Sequence, residues 1–325
     1  MVETHGRKVE AKPLISIVGP TACGKTAVAV EVADAIHGAI LSADSRQLYR
    51  GMDIGTGKDL TEYARPDGKS IPYYLIDVAA AGEKWSLYDY LKAFYAAHEA
   101  VSAKGYWPIL CGGTGLYAEA VLRNYNVPEV PENSALRKSL APLSTKELTE
   151  KLAALQPLHN TTDTSSRQRL IRAIEIAQGR EADAAHLVCA PRIPIGITFA
   201  IAPSRENRRA RISARLDARL AEGLVEEVQN LVAYGVPHET LQYYGLEYRY
   251  ASRYLLGELT FVQMRRGLET AIHQFAKRQM TYLRGMEKRG VPLQWIDGDA
   301  AREEIIGAIV GEIRRHYANL FEGEK

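Results

Sequence analysis

Cysteine is scarce in this sequence: Cys23, Cys111 and Cys189 are the only three in 325 residues, they lie far apart, and they form no CxxC pair. That argues against a disulfide framework and a zinc site, and a reduced, cytoplasmic setting is expected. Long apolar runs are also missing. None approaches the roughly 20 residues needed to span a bilayer, so no membrane partner is expected. Met1–Pro13 is polar and charged with no apolar core, so no signal peptide is expected. Neither sign of charge dominates: 41 Lys and Arg face 39 Asp and Glu, and a net charge of +2 neither demands nor excludes nucleic acid. There is no internal repeat and no low-complexity tract. What remains is the composition of a globular protein, 46% hydrophobic and 25% charged, long enough for about two domains.

Leu14–Val18 is a short apolar, β-branched run that ends in a glycine-rich turn, which reads as a buried strand. Ala27–Ile36 then shows helical spacing through Val28, Val32, Ala35 and Ile36. Ala39–Leu41, Tyr74–Val78 and Ile109–Cys111 read as further strands, with a helix at Tyr88–Lys104. This alternation predicts an α/β fold whose mostly parallel sheet is flanked by helices on both faces. Past Arg123 the composition changes. Pro128 and Pro131 mark a break, and the stretch to Pro191 is polar and helix-prone, with a helix start at Ser144–Glu147 and a buried face of Leu170, Ile171, Ile174 and Ile176. The expectation is a core in two parts, residues 1–122 and 192–325, around a helical insertion domain at 123–191.

Ile195–Ile201 returns as a strand. Two long helices follow. One carries Ile212, Leu216, Leu220 and Leu224 on a face and is closed by Gly235 and Pro237. The other starts at a capping box of Thr260 and Gln263, with Phe261, Met264, Leu268, Ile272 and Phe275 as its stripe.

The chemistry begins at Gly19-Pro20-Thr21-Ala22-Cys23-Gly24-Lys25-Thr26, which matches G-x-x-x-x-G-K-[ST] between a strand and a helix. Its glycines let successive backbone N–H groups curl around phosphate oxygens, and the helix N-terminus favours an anion. Lys25 adds positive charge, and Thr26 offers a hydroxyl to bound Mg²⁺. A second piece, Gly55-Thr56-Gly57-Lys58, lacks the strand-turn-helix setting and reads as a loop. Asp44 ends the second strand, where parallel sheets place their ligands. It reads either as the carboxylate of a phosphate-transfer site or as a turn residue bonded to its own loop.

The run Ser42-Ala43-Asp44-Ser45-Arg46-Gln47-Leu48-Tyr49-Arg50-Gly51-Met52-Asp53-Ile54-Gly55-Thr56 decides more. So do Leu75-Ile76-Asp77, Gly112-Gly113-Thr114-Gly115-Leu116-Tyr117, Arg167–Glu175 and Ala276-Lys277-Arg278-Gln279. Together with the P-loop, and in the same order from about residue 14 to 297, they resemble the tRNA dimethylallyltransferases. The resemblance implies a P-loop NTPase-like core and a prenyl transfer from dimethylallyl diphosphate to the exocyclic N6 amine of the adenosine 3′ of the anticodon. It implies Asp44 as general base, Thr114 beside the amine, and Lys25 with Arg211 and Arg215 on the diphosphate. Gly19–Thr26 would cradle the leaving group, with Mg²⁺ on Thr26. The tRNA anticodon stem-loop would meet Asp44, Ser45, Arg46, Gln47 and Thr114, Arg137, and Gln168, Arg169, Leu170, Ile171 and Arg172.

Charge clustering agrees with a polyanionic partner. Arg205–Arg219 holds six arginines against Glu206 and Asp217, and Arg265–Arg284 holds five basic residues against Glu269 alone. Arg211 and Arg215 stand one helical turn apart. Lys277, Arg278 and Gln279 are expected at the RNA surface, and a monomer is expected. The sequence departs from the family at Tyr73-Tyr74, where two histidines are usual, at Tyr244-Gly245-Leu246-Glu247-Tyr248, at Thr281-Tyr282-Leu283-Arg284, and at Cys23 in place of serine. The competing readings are an adenylate prenyltransferase of the cytokinin type and a P-loop nucleotide kinase.

Overall fold

A computed structural model describes residues 12–65, 67–158, 166–182 and 191–322. Cys189 and most of Met1–Pro13 lie outside the described residues. The chain forms two compact units, Met1–Asn124 with Pro191–Lys325 and Tyr125–Ala190.

The larger unit opens with β1 (Leu14–Val18), α1 (Lys25–Ile36) and β2 (Gly38–Ser42), then β3 (Tyr73–Tyr74), α2 (Leu87–Ala103), β4 (Trp107–Gly112) and α3 (Gly115–Leu122). The smaller unit is helical: α4 (Ser134–Leu140), α5 (Thr145–Leu155) and α6 (Arg167–Ala182). The chain returns to the larger unit through β5 (Ile195–Ala202), α7 (Arg205–Glu222), α8 (Leu224–Ala233), α9 (His238–Tyr244), α10 (Leu246–Leu255) and α11 (Phe261–Lys288). It finishes with β6 (Gln294–Asp297), α12 (Arg302–His316) and α13 (Ala318–Glu322).

The sheet has six strands in the order β3-β2-β4-β1-β5-β6, and every neighbouring pair is parallel. β1, β2 and β4 are buried along their whole length, as strands covered on both faces must be. β1 and β4 lie side by side with Val18 opposite Gly112, so the turns that leave them open at the same edge. A Cβ on Gly112 would stand 2.3 Å from the Ala43 backbone. The ends of β2 and β4 can close up only around a glycine there.

Three expectations change. The run Tyr74–Val78 pairs only at Tyr73–Tyr74, because Leu75 (φ 64°) and Asp77 (φ 56°) turn left-handed and leave the sheet. The long helix after β5 breaks at Gly223, whose φ of 104° no helix accommodates, into α7 and α8. On α11 the buried stripe is Met264, Leu268, Ile272, Ala276, Met280, Leu283 and Met286, whereas Phe261 and Phe275 are exposed. The Thr260 capping box is present, and so is the one at Ser144. Leu268, Ile272 and Ala276 pack on Ile212 and Leu216 of α7. Burying each large aliphatic side chain there contributes about 1.5–3 kcal/mol, and this seam sets two C-terminal helices against the P-loop side of the sheet.

Candidate active site

Val18 ends β1 and the chain turns at Gly19, where a Cβ would meet Cys23 Sγ at 2.6 Å and the Ile201 carbonyl at 2.8 Å. Ala22 (φ 61°) and Gly24 (φ 81°) are left-handed, which curls the backbone into a cradle. For alanine that conformation costs on the order of 1 kcal/mol. Gly24 caps α1 without a side-chain bond, and the first turn contains no acidic residue, so its amides are left for an anion. Lys25 Nζ reaches the Pro20 carbonyl at 3.5 Å. Together with Thr26, Asp59, Glu62 and Arg215 it lines a cavity of about 410 Å³. Burial, with Asp59 next, holds the Glu62 carboxyl above its ordinary range.

Two arginines of α7 complete the cradle. Arg215 donates to the Thr21 hydroxyl. Desolvation, then the neighbouring Arg219, pulls its pKa down to about 10. It is still a cation at neutral pH, and one that gains from a phosphate neighbour. Arg211 donates to the Gly298 carbonyl at 3.1 Å and lines a second cavity of about 430 Å³ with Cys23, Gly24 and Arg215.

Just past the end of β2, Asp44 Oδ1 accepts from the Arg46 N–H at 2.9 Å. The local turn bond is therefore real, but it uses one carboxylate oxygen only. Thr114 caps α3. Its hydroxyl accepts from the Ser45 N–H at 2.9 Å and lies 3.2 Å from Ser45 Oγ, while its own N–H donates to the Ala43 carbonyl at 3.1 Å. These bonds lace the segment after β2 to the segment after β4. Arg46 reaches the Tyr243 carbonyl at 3.0 Å, and Gln47 turns inward to the Gly57 carbonyl at 3.3 Å.

Gln279 was expected at the RNA surface with Lys277 and Arg278, and only those two are exposed. Its side chain bonds Thr21 and Gly113 instead. Sequence reasoning also missed Glu119, buried on α3, which takes hydrogen bonds from Tyr282 at 2.6 Å and from Arg289 at 2.6 and 2.8 Å. Burial raises its pKa, but Arg289 and Tyr282 outweigh it and the net shift is downward. A buried acid on an otherwise apolar helix face was the available signal. The departures at Tyr244 and Tyr248 are anchors. The Tyr244 hydroxyl donates to the Glu83 carbonyl at 2.5 Å, and that of Tyr248 donates to Glu227 at 2.7 Å.

In the smaller unit, Leu170 is corrected from RNA contact to core: it is fully buried with Leu140, Leu148, Leu152 and Ile174. Ile171 is half-buried against the same cluster, and Gln168 and Arg169 are exposed. Arg137 grips Glu175 through two bonds of 3.1 and 2.9 Å, and Arg172 adds a third at 2.5 Å. Burial pushes the Glu175 carboxyl up, yet Arg137, the Asn133 N–H and Arg172 together hold it at about 2. Both arginines have much of their charge committed within the unit.

With the geometry in place, the comparisons are specific. The sequence model described as IPP transferase matches residues 47–286, and one described as isopentenyl transferase matches 13–66. The chain belongs to the tRNA dimethylallyltransferase, or IPP transferase, family. It is 50% identical over 297 residues to a tRNA dimethylallyltransferase 2 of Porphyromonas gingivalis, covering 91% of this chain and 98% of that protein. A tRNA dimethylallyltransferase 2 of Bacteroides fragilis is 47% identical over 301 residues, 93% of this chain and 98% of its own. The full-length tRNA isopentenylpyrophosphate transferase of Bacillus halodurans superposes with a TM-score of 0.69 at 28% identity, over 96% of this chain and 99% of that one. A eukaryotic dimethylallyltransferase acting on tRNA shares the fold with a TM-score of 0.74 at 17% identity, over 95% of this chain and 80% of that one. Among the described residues no helix is long and apolar enough to cross a membrane.

Proposed function

We propose that this protein transfers the dimethylallyl group of dimethylallyl diphosphate to the N6 amine of the adenosine 3′ of the tRNA anticodon, releasing diphosphate. The observation that carries the reading is the common edge where β1, β4 and β2 end: the phosphate cradle leaves β1 beside the turn that carries Thr114, and that turn is hydrogen-bonded to the Asp44 segment after β2. Donor and acceptor can therefore meet without either leaving its binding elements.

In the reaction the N6 nitrogen bonds to the terminal carbon of the prenyl group as its C–O bond to the diphosphate breaks. The adenine amine is a very weak acid, so its proton passes to Asp44 during or after bond formation. Lys25, Arg215 and the amides at the start of α1 take up the charge that develops on the leaving oxygens. Arg211 stands at the rim. The oxygen donors present fit Mg²⁺, a hard cation: the Thr26 hydroxyl would hold it together with diphosphate oxygens and water. When bound it supplies further positive charge against the leaving group. The adenine must leave the anticodon stack to reach Asp44, at a cost of a few kcal/mol. The helical insertion, with Gln168 and Arg169 exposed on α6, is the part that would clasp the stem-loop. In this reading the enzyme works as a monomer in the cytoplasm.

The test is an incubation with labelled dimethylallyl diphosphate and Mg²⁺, offering tRNA with adenosines beside the anticodon, AMP, or ATP with acceptors. Label in tRNA alone is expected. Label in AMP but not tRNA, or ATP turnover without prenyl transfer, would overturn the reading.

A further inference from the structure

Gln279 sits on α11 beside two exposed basic residues, yet its side chain points the other way. Oε1 accepts from the Thr21 backbone N–H at 2.8 Å, and Nε2 donates to the Gly113 carbonyl at 2.8 Å. The two partners fix the orientation of the amide, because a backbone N–H can only donate and a carbonyl can only accept. One planar group thus ties the P-loop to the turn that carries Thr114. The fit is tight: a Cβ on Gly113 would stand 2.8 Å from Gln279 Nε2 and 3.4 Å from Lys25 Nζ. Thr21 is also held from α7, through the Arg215 bond to its hydroxyl.

Displacement at the prenyl carbon requires the attacking nitrogen and the leaving oxygen to be in line. The P-loop holds one end of that line, and the Asp44–Thr114 side holds the other. A small change in the spacing of the two turns leaves the contacts of each substrate intact but spoils the alignment, so it acts on turnover more than on affinity. We propose that Gln279 is a positioning residue that sets the spacing between the diphosphate cradle and the acceptor-side turn, a role that rests on the prenyl-transfer reading. It acts through Thr21 and Gly113. Because it consumes the Thr21 N–H, the phosphate is left to the amides that follow.

The test uses the full-length protein with Gln279→Ala, Gln279→Glu and Gly113→Ala. The readouts are steady-state transfer, equilibrium binding of dimethylallyl diphosphate, Tm, and hydrogen exchange at the Thr21 amide. Glutamate keeps the size and the acceptor facing Thr21 but cannot donate to Gly113. All three variants are expected to lose kcat by about 30-fold or more, with both KM values and donor binding within about threefold. Thr21 exchange should quicken in Gln279→Ala. A higher KM for tRNA at unchanged kcat would make Gln279 an RNA contact and overturn the proposal. So would wild-type kinetics in Gln279→Glu, or a kcat that merely follows the folded fraction. If Gln279→Ala does not fold, Gln279→Glu decides. A wild-type protein that transfers no prenyl group overturns the functional reading and this role with it; a competent wild type with unaltered variants overturns this role alone.

Discussion

Lys25 and Lys58 each follow a glycine, and their surroundings are opposite. Lys25 opens α1 facing a cavity, and among the described residues its Nζ bonds the Pro20 carbonyl alone, at 3.5 Å. Lys58 is fully buried and bound to Asp53 at 2.7 Å, to the Tyr49 carbonyl at 2.7 Å, and to Asp77. The first has charge to offer a ligand, and the second has spent its charge holding three segments together. Arg137 and Arg172 on Glu175 follow the pattern of Lys58, while Arg215 follows that of Lys25. Whether a cation faces open space or is already spent on carboxylates therefore separates binding groups from structural ones.

The largest expected effect sharpens that contrast. Lys25→Met should lower kcat for prenyl transfer by about 10²–10³-fold while Tm stays within a few degrees. Lys58→Met should do the reverse. It removes the donor to the Tyr49 carbonyl and to two solvent-reached carboxylates and should cost about 1–3 kcal/mol of stability in urea unfolding, with kcat of the folded fraction unchanged. A drop in kcat there would break the contrast.

Acid should unpick the Glu175 clasp. Its folded pKa lies near 2, against 4.5 ordinarily. The stabilisation is complete above about pH 4.5 and is lost as pH falls through about 2, roughly 3 kcal/mol in all. Unfolding measured across that window should steepen in the wild type and flatten in Glu175→Gln.

Smaller still are the glycines. Gly24 (φ 81°) has open space where a Cβ would go, so Gly24→Ala should cost only backbone strain, about 1 kcal/mol. At Gly57 (φ 67°) a Cβ would collide with the Arg219 guanidinium, which pairs with Glu247 at 3.7 Å. Gly57→Ala should therefore cost measurably more in the same unfolding assay.

What was legible in the sequence was local. Leu14–Val18 reads as a strand because its apolar run meets a glycine turn, and the Thr260 and Ser144 capping boxes declare themselves within four residues. The phosphate cradle and Asp44 were visible for the same reason, each lying at a strand end. The break at Gly223 was not, since the apolar face continues across it and only the φ of 104° reveals the turn. β6 escaped notice because it is four residues long and mostly exposed. The inward turn of Gln279 depends on partners 258 and 166 residues away, which no spacing records. Glu227, which accepts the N–H groups of Asp53, Ile54 and Gly55, was hidden in the same way.

The central claim is that the P-loop holds a leaving group while Asp44 takes the proton of the acceptor. Single-turnover transfer by Asp44→Ala, run beside equilibrium binding of dimethylallyl diphosphate, tests it most directly. The account predicts donor binding within about threefold of wild type and transfer slowed by about 10²–10⁴-fold. Transfer at the wild-type rate would contradict it.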